Sequence, residues 1–235
     1  MVRVLALALF RLRGAMTARV LLAPIVALVL LQLIGLAGGP QPAAVLLVTS
    51  VCLSLPALAW LSRQILNAEP DDQVLLSSLA VGGAVAETTA GLLAAQTICV
   101  PLAVASSSAA LLRADGQGVP AEVLLYGLVL TLVTTLAAVG IGAFASRSIA
   151  GSGGVPVVVL LAVPVLIAVL SLSRHALITA LVPRLGTAVR VTQDPPFPIT
   201  PNDYFVQRAA PILVQILLWS VAVLSLRLLL ARRRT

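Results

Sequence analysis

Few side chains in this 235-residue chain could do chemistry, and most of those lie in or beside apolar runs. Glu87 and Glu122 each stand at the edge of such a run. A carboxylate at membrane depth is a candidate ion or proton site. In the first turn of a helix it can instead reach back to water, and that reading suits both positions. Gln32, Gln96 and Gln215, with Thr131, Thr134 and Thr135, form a candidate polar path together with Glu87. The same side chains serve equally well as interhelical hydrogen bonds. Ser152 sits in Gly151-Ser152-Gly153-Gly154, and the single histidine is His175. A serine nucleophile needs its base within hydrogen-bond reach, and the topology derived below puts these two near opposite faces. Cys52 and Cys99 fall inside apolar runs and read as buried thiols. One histidine and two distant cysteines offer no zinc-ligand spacing. There is no Gly-x-x-x-x-Gly-Lys-Ser/Thr loop. The chain is therefore expected to have no catalytic residues, no metal and no cofactor of its own.

The elements that carry these residues follow from composition. The chain is 60% hydrophobic and 10% charged, with mean hydropathy +1.11. An ordinary soluble protein carries about 25% charged residues, so lipid must be the solvent for most of this one. The net charge of +7 comes from an excess of arginine over acid, with no lysine present. Those arginines cluster beside apolar runs, which sets orientation in a bilayer and argues against nucleic-acid binding.

Spanning the hydrocarbon core takes roughly 20 apolar residues. Six runs qualify, at 20–38, 43–62, 86–112, 121–146, 154–172 and 209–230. Pro156 and Pro164 interrupt the fifth, which therefore needs neighbouring protein to satisfy the freed carbonyls. With the N-terminus inside, ten arginines fall on the cytoplasmic side and five outside. That balance favours both termini in the cytoplasm, and the Arg232-Arg233-Arg234 tail agrees. The expected fold is an all-α membrane protein, with residues 1–19 as an interfacial helix and 20–235 as a six-span domain.

Three segments outside the spans carry most of the information. In the first, helical spacing puts Leu5, Leu9, Leu12 and Met16 on one stripe, with Arg3 and Arg11 opposite and Arg13 nearby. This predicts an amphipathic helix on the cytoplasmic leaflet, a cleaved signal peptide being the alternative. The second runs from Arg63 to Gly83. Pro70 suits a first helical turn, and Asp71 and Asp72 complement its dipole. Val74, Leu75, Leu76 and Leu79 give an apolar side, and Gly82-Gly83 ends the helix. The third is an outer loop, Ser173 to Arg208, whose apolar stretch and prolines predict a re-entrant or interfacial hairpin before the last span.

Taken in this order, the segments resemble the ABC type-2 permease family, the membrane subunits of ATP-driven exporters. The resemblance covers nearly the whole chain. Its most telling local match is Glu69-Pro70-Asp71-Asp72-Gln73-Val74-Leu75-Leu76-Ser77-Ser78-Leu79, which stands where the family has an acidic, leucine-rich coupling helix. Thr200-Pro201-Asn202-Asp203-Tyr204-Phe205 and the Arg232 to Arg234 tail also look familiar. The chain departs from the family pattern at Ser78, where a proline is frequent, and at Glu87-Thr88, where a basic residue is frequent. Ser-Ile-Ala-Gly-Ser-Gly-Gly before the fifth run is similar to the haem-export permease of cytochrome c maturation.

The resemblance implies a permease subunit of the bacterial plasma membrane, moving an amphipathic or hydrophobic substrate out of the cytoplasm. It implies two copies, or one copy with a related permease, paired with two ATPase subunits that bind ATP and Mg. Glu69, Asp71, Asp72, Leu75 and Leu76 would contact the ATPase, with the helix around Arg11 and Arg13 in support. The alternatives are an ATP-independent carrier or channel, and a non-transporting membrane assembly subunit.

Overall fold

A computed structural model describes residues 1–17, 19–37, 39, 41–114, 119–147, 160, 188–189, 191–192 and 199–233. Within them are seven helices: α1 (Val2–Thr17), α2 (Leu22–Gly35), α3 (Ala43–Leu66), α4 (Asp71–Val81), α5 (Ala84–Leu111), α6 (Ala121–Phe144) and α7 (Pro201–Arg232). No strand occurs among the described residues, apart from one isolated bridge between Gln41 and Ala114. Four helices, α3, α5, α6 and α7, are long and apolar enough to cross a membrane, or up to five spans if α1 and α2 form one bent crossing. The protein is an all-helical, multi-pass membrane protein.

Local chemistry explains where the helices begin. Pro42, Pro70 and Pro120 stand immediately before α3, α4 and α6, each with φ between −53° and −60°. A proline loses nothing there, because the N–H it lacks has no partner at a helix start. α4 ends at Gly82, whose φ of +96° is open only to glycine at little cost, and Gly83 follows at +125°. The Gly83 N–H donates to the Ser78 carbonyl at 2.7 Å, closing the turn into α5.

Two expectations change. The first predicted span, 20–38, is a helix of only 14 residues in α2, about 21 Å at 1.5 Å per residue, short of the roughly 30 Å core. α1 and α2 are bent by 77°, and Arg19, at φ +53°, stands between them. The last helix starts at Pro201, not at 209. The expected outer loop, drawn as far as Arg208, gives way to helix from Pro201 because Thr200 caps it. Its hydroxyl accepts the Asp203 N–H at 3.2 Å and donates to the Asp203 carboxylate at 2.7 Å, with Pro201 in the first turn. The fifth predicted span, 154–172, and most of the predicted outer hairpin, 173–208, lie outside the described residues.

The helices share two ends. At one, Arg113 donates to the Leu36 carbonyl at 2.9 Å and the Ala44 N–H donates to Asn202 Oδ1 at 3.1 Å. At the other, Arg63 Nε donates to the Ala145 carbonyl at 2.9 Å and the Arg147 N–H donates to Asn67 Oδ1 at 3.0 Å. This second end also carries α1, α4 and the C-terminus of α7, and is called the terminal end here. α3, α6 and α7 run towards it and α5 runs away from it. Arg147 and Thr200 therefore lie at opposite ends.

Lipid tails are as apolar as leucine, so helices in a bilayer associate through close packing more than through hydrophobic burial. The interfaces here are built accordingly from small residues. Ala90, Gly91, Ala94 and Ala95 of α5 are buried, as are Ala137, Ala138, Gly140 and Gly142 of α6. α3 is central, with 72% of its most apolar stretch buried, against 22% for α7. Val214, Leu217, Leu218 and Val221 form an exposed stripe down α7, a face suited to lipid.

Gly142 marks the tightest crossing. A Cβ there would overlap Ser62 Oγ and stand 2.5 Å from the Ala59 carbonyl oxygen, which is backbone and cannot swing away. Nothing lies within 4 Å of a Cβ added at Gly14. Gly142→Ala should therefore lower stability by about 1–3 kcal/mol, while Gly14→Ala should be neutral or stabilising by up to ~1 kcal/mol through helix propensity. The midpoints of detergent-driven unfolding would show this opposite response to the same substitution.

Candidate functional site

The charged residues of the terminal end converge on one point. α1 packs on α5 through Ala8, Arg11 and Ala15, which are buried, while Leu5, Leu9, Phe10 and Met16 face outward. The apolar stripe read from the sequence is therefore the outer face, as an interfacial helix requires. Arg11 points the other way, into protein, with 2% of its surface exposed. Arg3 and Arg13 are exposed.

Arg11 is held by two carboxylates from distant parts of the chain. Its Nε donates to Glu69 Oε2 at 3.0 Å, and its Nη2 forms ion pairs with both Glu69 and Glu87. Nη1 adds a bond to the Glu87 carbonyl at 3.3 Å. The remaining carboxylate oxygens are also satisfied: Ser77 Oγ donates to Glu69 Oε1 and Thr88 Oγ1 to Glu87 Oε2, each at 3.3 Å. Burial alone would pull the Arg11 pKa down. The hydrogen bond to Glu69 and the charge of Glu87 outweigh it and hold the pKa above the ordinary arginine value. Arg11 therefore stays charged between the two glutamates.

Glycine makes the approach feasible. A Cβ on Gly91 would stand 2.6 Å from Arg11 Nη1 and 2.7 Å from Leu66 Cδ2. A bare backbone at this turn of α5 lets the guanidinium reach both glutamates. The cluster thereby joins α1, the α3–α4 connection, α4 itself through Ser77, and the first turn of α5.

α4 presents two different sides. Val74, Leu75 and Ser78 border a cleft of about 270 Å³ that Arg11, Glu69, Glu87, Arg147 and Arg227 also line. Away from the bundle, Leu75, Leu76 and Leu79 are 66%, 67% and 74% exposed. Three leucines exposed together on one short helix form an uncovered apolar surface of the kind that marks a contact site. The backbone of Asp71 and Asp72 forms the first turn of α4; their side chains lie outside the description.

The expected site residues lie as follows. Glu69, expected at a partner contact, is turned inward and its side chain is 4% exposed. The α4 surface that could meet a partner consists of leucines. Arg11, expected on the polar face of a surface helix, is the buried centre of the cluster. Glu87, expected on a polar path, is committed to Arg11. Gln32 is likewise committed: its Nε2 donates to the Ser50 carbonyl at 2.9 Å, tying α2 to α3. Thr131 shares a 3.0 Å hydroxyl contact with Ser107 across α5 and α6, the interhelical role open to it from the sequence.

Sequence reasoning placed Arg11, Glu69 and Glu87 on one side of the membrane and gave each a separate role. What it missed is their meeting. The only available signal was scarcity: a chain with eight acidic residues puts two of them beside apolar segments on the side where Arg11 lies.

The chain matches no protein-family model, no curated protein and no solved structure.

Removing one member of a buried ion cluster leaves uncompensated charge and costs about 3–5 kcal/mol. Arg11→Gln, which strands two carboxylates, should lower stability by that amount in detergent unfolding. Arg11→Lys should recover little of it, because an ammonium cannot supply the planar fork that serves both acids. The combined Arg11→Leu, Glu69→Gln, Glu87→Gln variant should be more stable than Arg11→Gln alone.

Proposed function

We propose that this chain is the transmembrane permease subunit of an ATP-driven ABC exporter in a bacterial plasma membrane, acting on an amphipathic or hydrophobic substrate. The observation that carries the reading is α4: a short helix at the terminal end, with Leu75, Leu76 and Leu79 uncovered and its base anchored to the bundle through Glu69. A helix built this way suits transmission of force. An ATPase docked on the leucines would move α4, and the Glu69–Arg11–Glu87 cluster would pass that movement to α1 and α5 without bending a loop.

On this reading the terminal end faces the cytoplasm, and the chain crosses six times with both termini inside. The opposite placement of Arg147 and Thr200 supports a crossing between them, as the run 154–172 requires. The 173–208 segment would then supply an outer hairpin before α7. The functional unit pairs two permease chains with two ATPase subunits, which hold the ATP and Mg.

The test is recovery of partners from native membranes. Affinity-tagged chain should bring down a nucleotide-binding subunit, and purified complex should hydrolyse ATP. Leu75→Glu combined with Leu79→Glu should abolish both, yet leave unfolding in detergent within about 0.5 kcal/mol of wild type, as expected for exposed positions. Wild-type chain that recovers no nucleotide-binding protein would overturn the proposal.

A further inference from the structure

A second surface lies at membrane depth, away from the charged cluster. α2 and α3 border a groove of about 690 Å³, a size within the range of small-molecule and lipid sites. Its α3 wall is Pro56, Ala57, Trp60, Arg63 and Gln64, which helical spacing puts on one face. Its α2 wall is Ala27, Leu30 and Leu31, and the buried Leu160 also lines it. The lining is not uniform along its length. Arg63 and Gln64 stand one turn from the terminal end of α3, and the deeper residues are apolar.

The polar end is positive. Arg63 Nε is committed to the Ala145 carbonyl, which fixes one of five guanidinium donors and holds the group at the mouth of the groove. Arg147 is near enough for its charge to act on Arg63. The salt bridges among the described residues both belong to Arg11, so no described carboxylate pairs with Arg63 or Arg147. The Arg63 cation at one end of an apolar groove complements a ligand with an oxyanion at one end and a hydrocarbon chain at the other.

We propose that this groove binds one anionic membrane lipid, with an acyl chain along Trp60 and the headgroup oxyanion on the Arg63 guanidinium. The site stands independently of the exporter reading, since it needs neither α4 nor an ATPase.

The chain carries its own probes. It has two tryptophans, Trp60 in the groove and Trp219 on α7. Trp219→Phe leaves Trp60 as sole reporter, and Trp60→Phe leaves Trp219. Each protein is reconstituted in phosphatidylcholine vesicles doped with either dibrominated phosphatidylglycerol or dibrominated phosphatidylcholine, whose bromines quench nearby indole. Trp60 should respond to the anionic lipid with about fivefold apparent preference, the factor one basic residue near a headgroup supplies. Trp219 should respond equally to both lipids, and Arg63→Gln in the Trp60 reporter should abolish the preference. Equal quenching of Trp60 by the two lipids overturns the proposal, because the groove then holds only bulk lipid. An equal preference at Trp219 overturns it too, as a general surface effect. Arg63 also caps α6, so its variant is read only if the protein elutes as a single folded species. A preference that survives in such protein overturns the role of Arg63. If the variant does not fold, the contrast between Trp60 and Trp219 in protein retaining Arg63 decides the matter.

Discussion

A guanidinium buried in a membrane protein must be neutralised where it sits, and this requirement organises the terminal end of the bundle. Arg11 could not be 2% exposed beside α5 without Glu69 and Glu87 around it. Meeting that need draws the α3–α4 connection and the start of α5 onto α1. Residues 58 and 76 positions apart from Arg11 become neighbours. Beyond the cluster, α1 is held by Ala8, Ala15 and the partly buried Val4 and Leu7, while Leu5, Leu9, Phe10 and Met16 point outward. The cluster helps make this surface helix part of the folded domain.

The spans obey a different constraint. Without a hydrophobic force between them, they are held by close approach and by a few buried hydrogen bonds. Gly142 against Ala59 and Ser62, Gly127 against Leu47 and Gly140 against Val223 each place backbone where a side chain would collide. Gln32 to Ser50 and Ser107 to Thr131 add directional contacts at membrane depth. Of the polar residues that looked like transport chemistry in the sequence, Gln32 and Thr131 belong to this structural fabric.

Two surfaces stay uncommitted, and they differ in kind. The leucines of α4 lie at the terminal end and are uncovered in a single chain. The groove beside Trp60 is apolar over most of its length, with Arg63 at one end. Arg63 and Arg147, at the junction of α3 with α6, stand between the groove and the polar cleft under α4.

Membrane class, helical content and the location of most spans were legible in the sequence, because apolar length and proline placement are local properties. Pro70 announced α4, and Gly82-Gly83 announced its end. Hydropathy could not detect the break near Arg19, which leaves α2 too short to span alone. Nor could it separate a capped helix from a loop at Thr200-Pro201, where the cap depends on a hydroxyl reaching the Asp203 N–H. Counting spans and charges in the sequence leads only to the expectation that Arg11, Glu69 and Glu87 share one side of the bilayer. Only the tertiary structure decided that they touch, because an ion cluster across 76 residues depends on which helix faces pack. That choice was made by a glycine at position 91, whose missing side chain is the space Arg11 occupies.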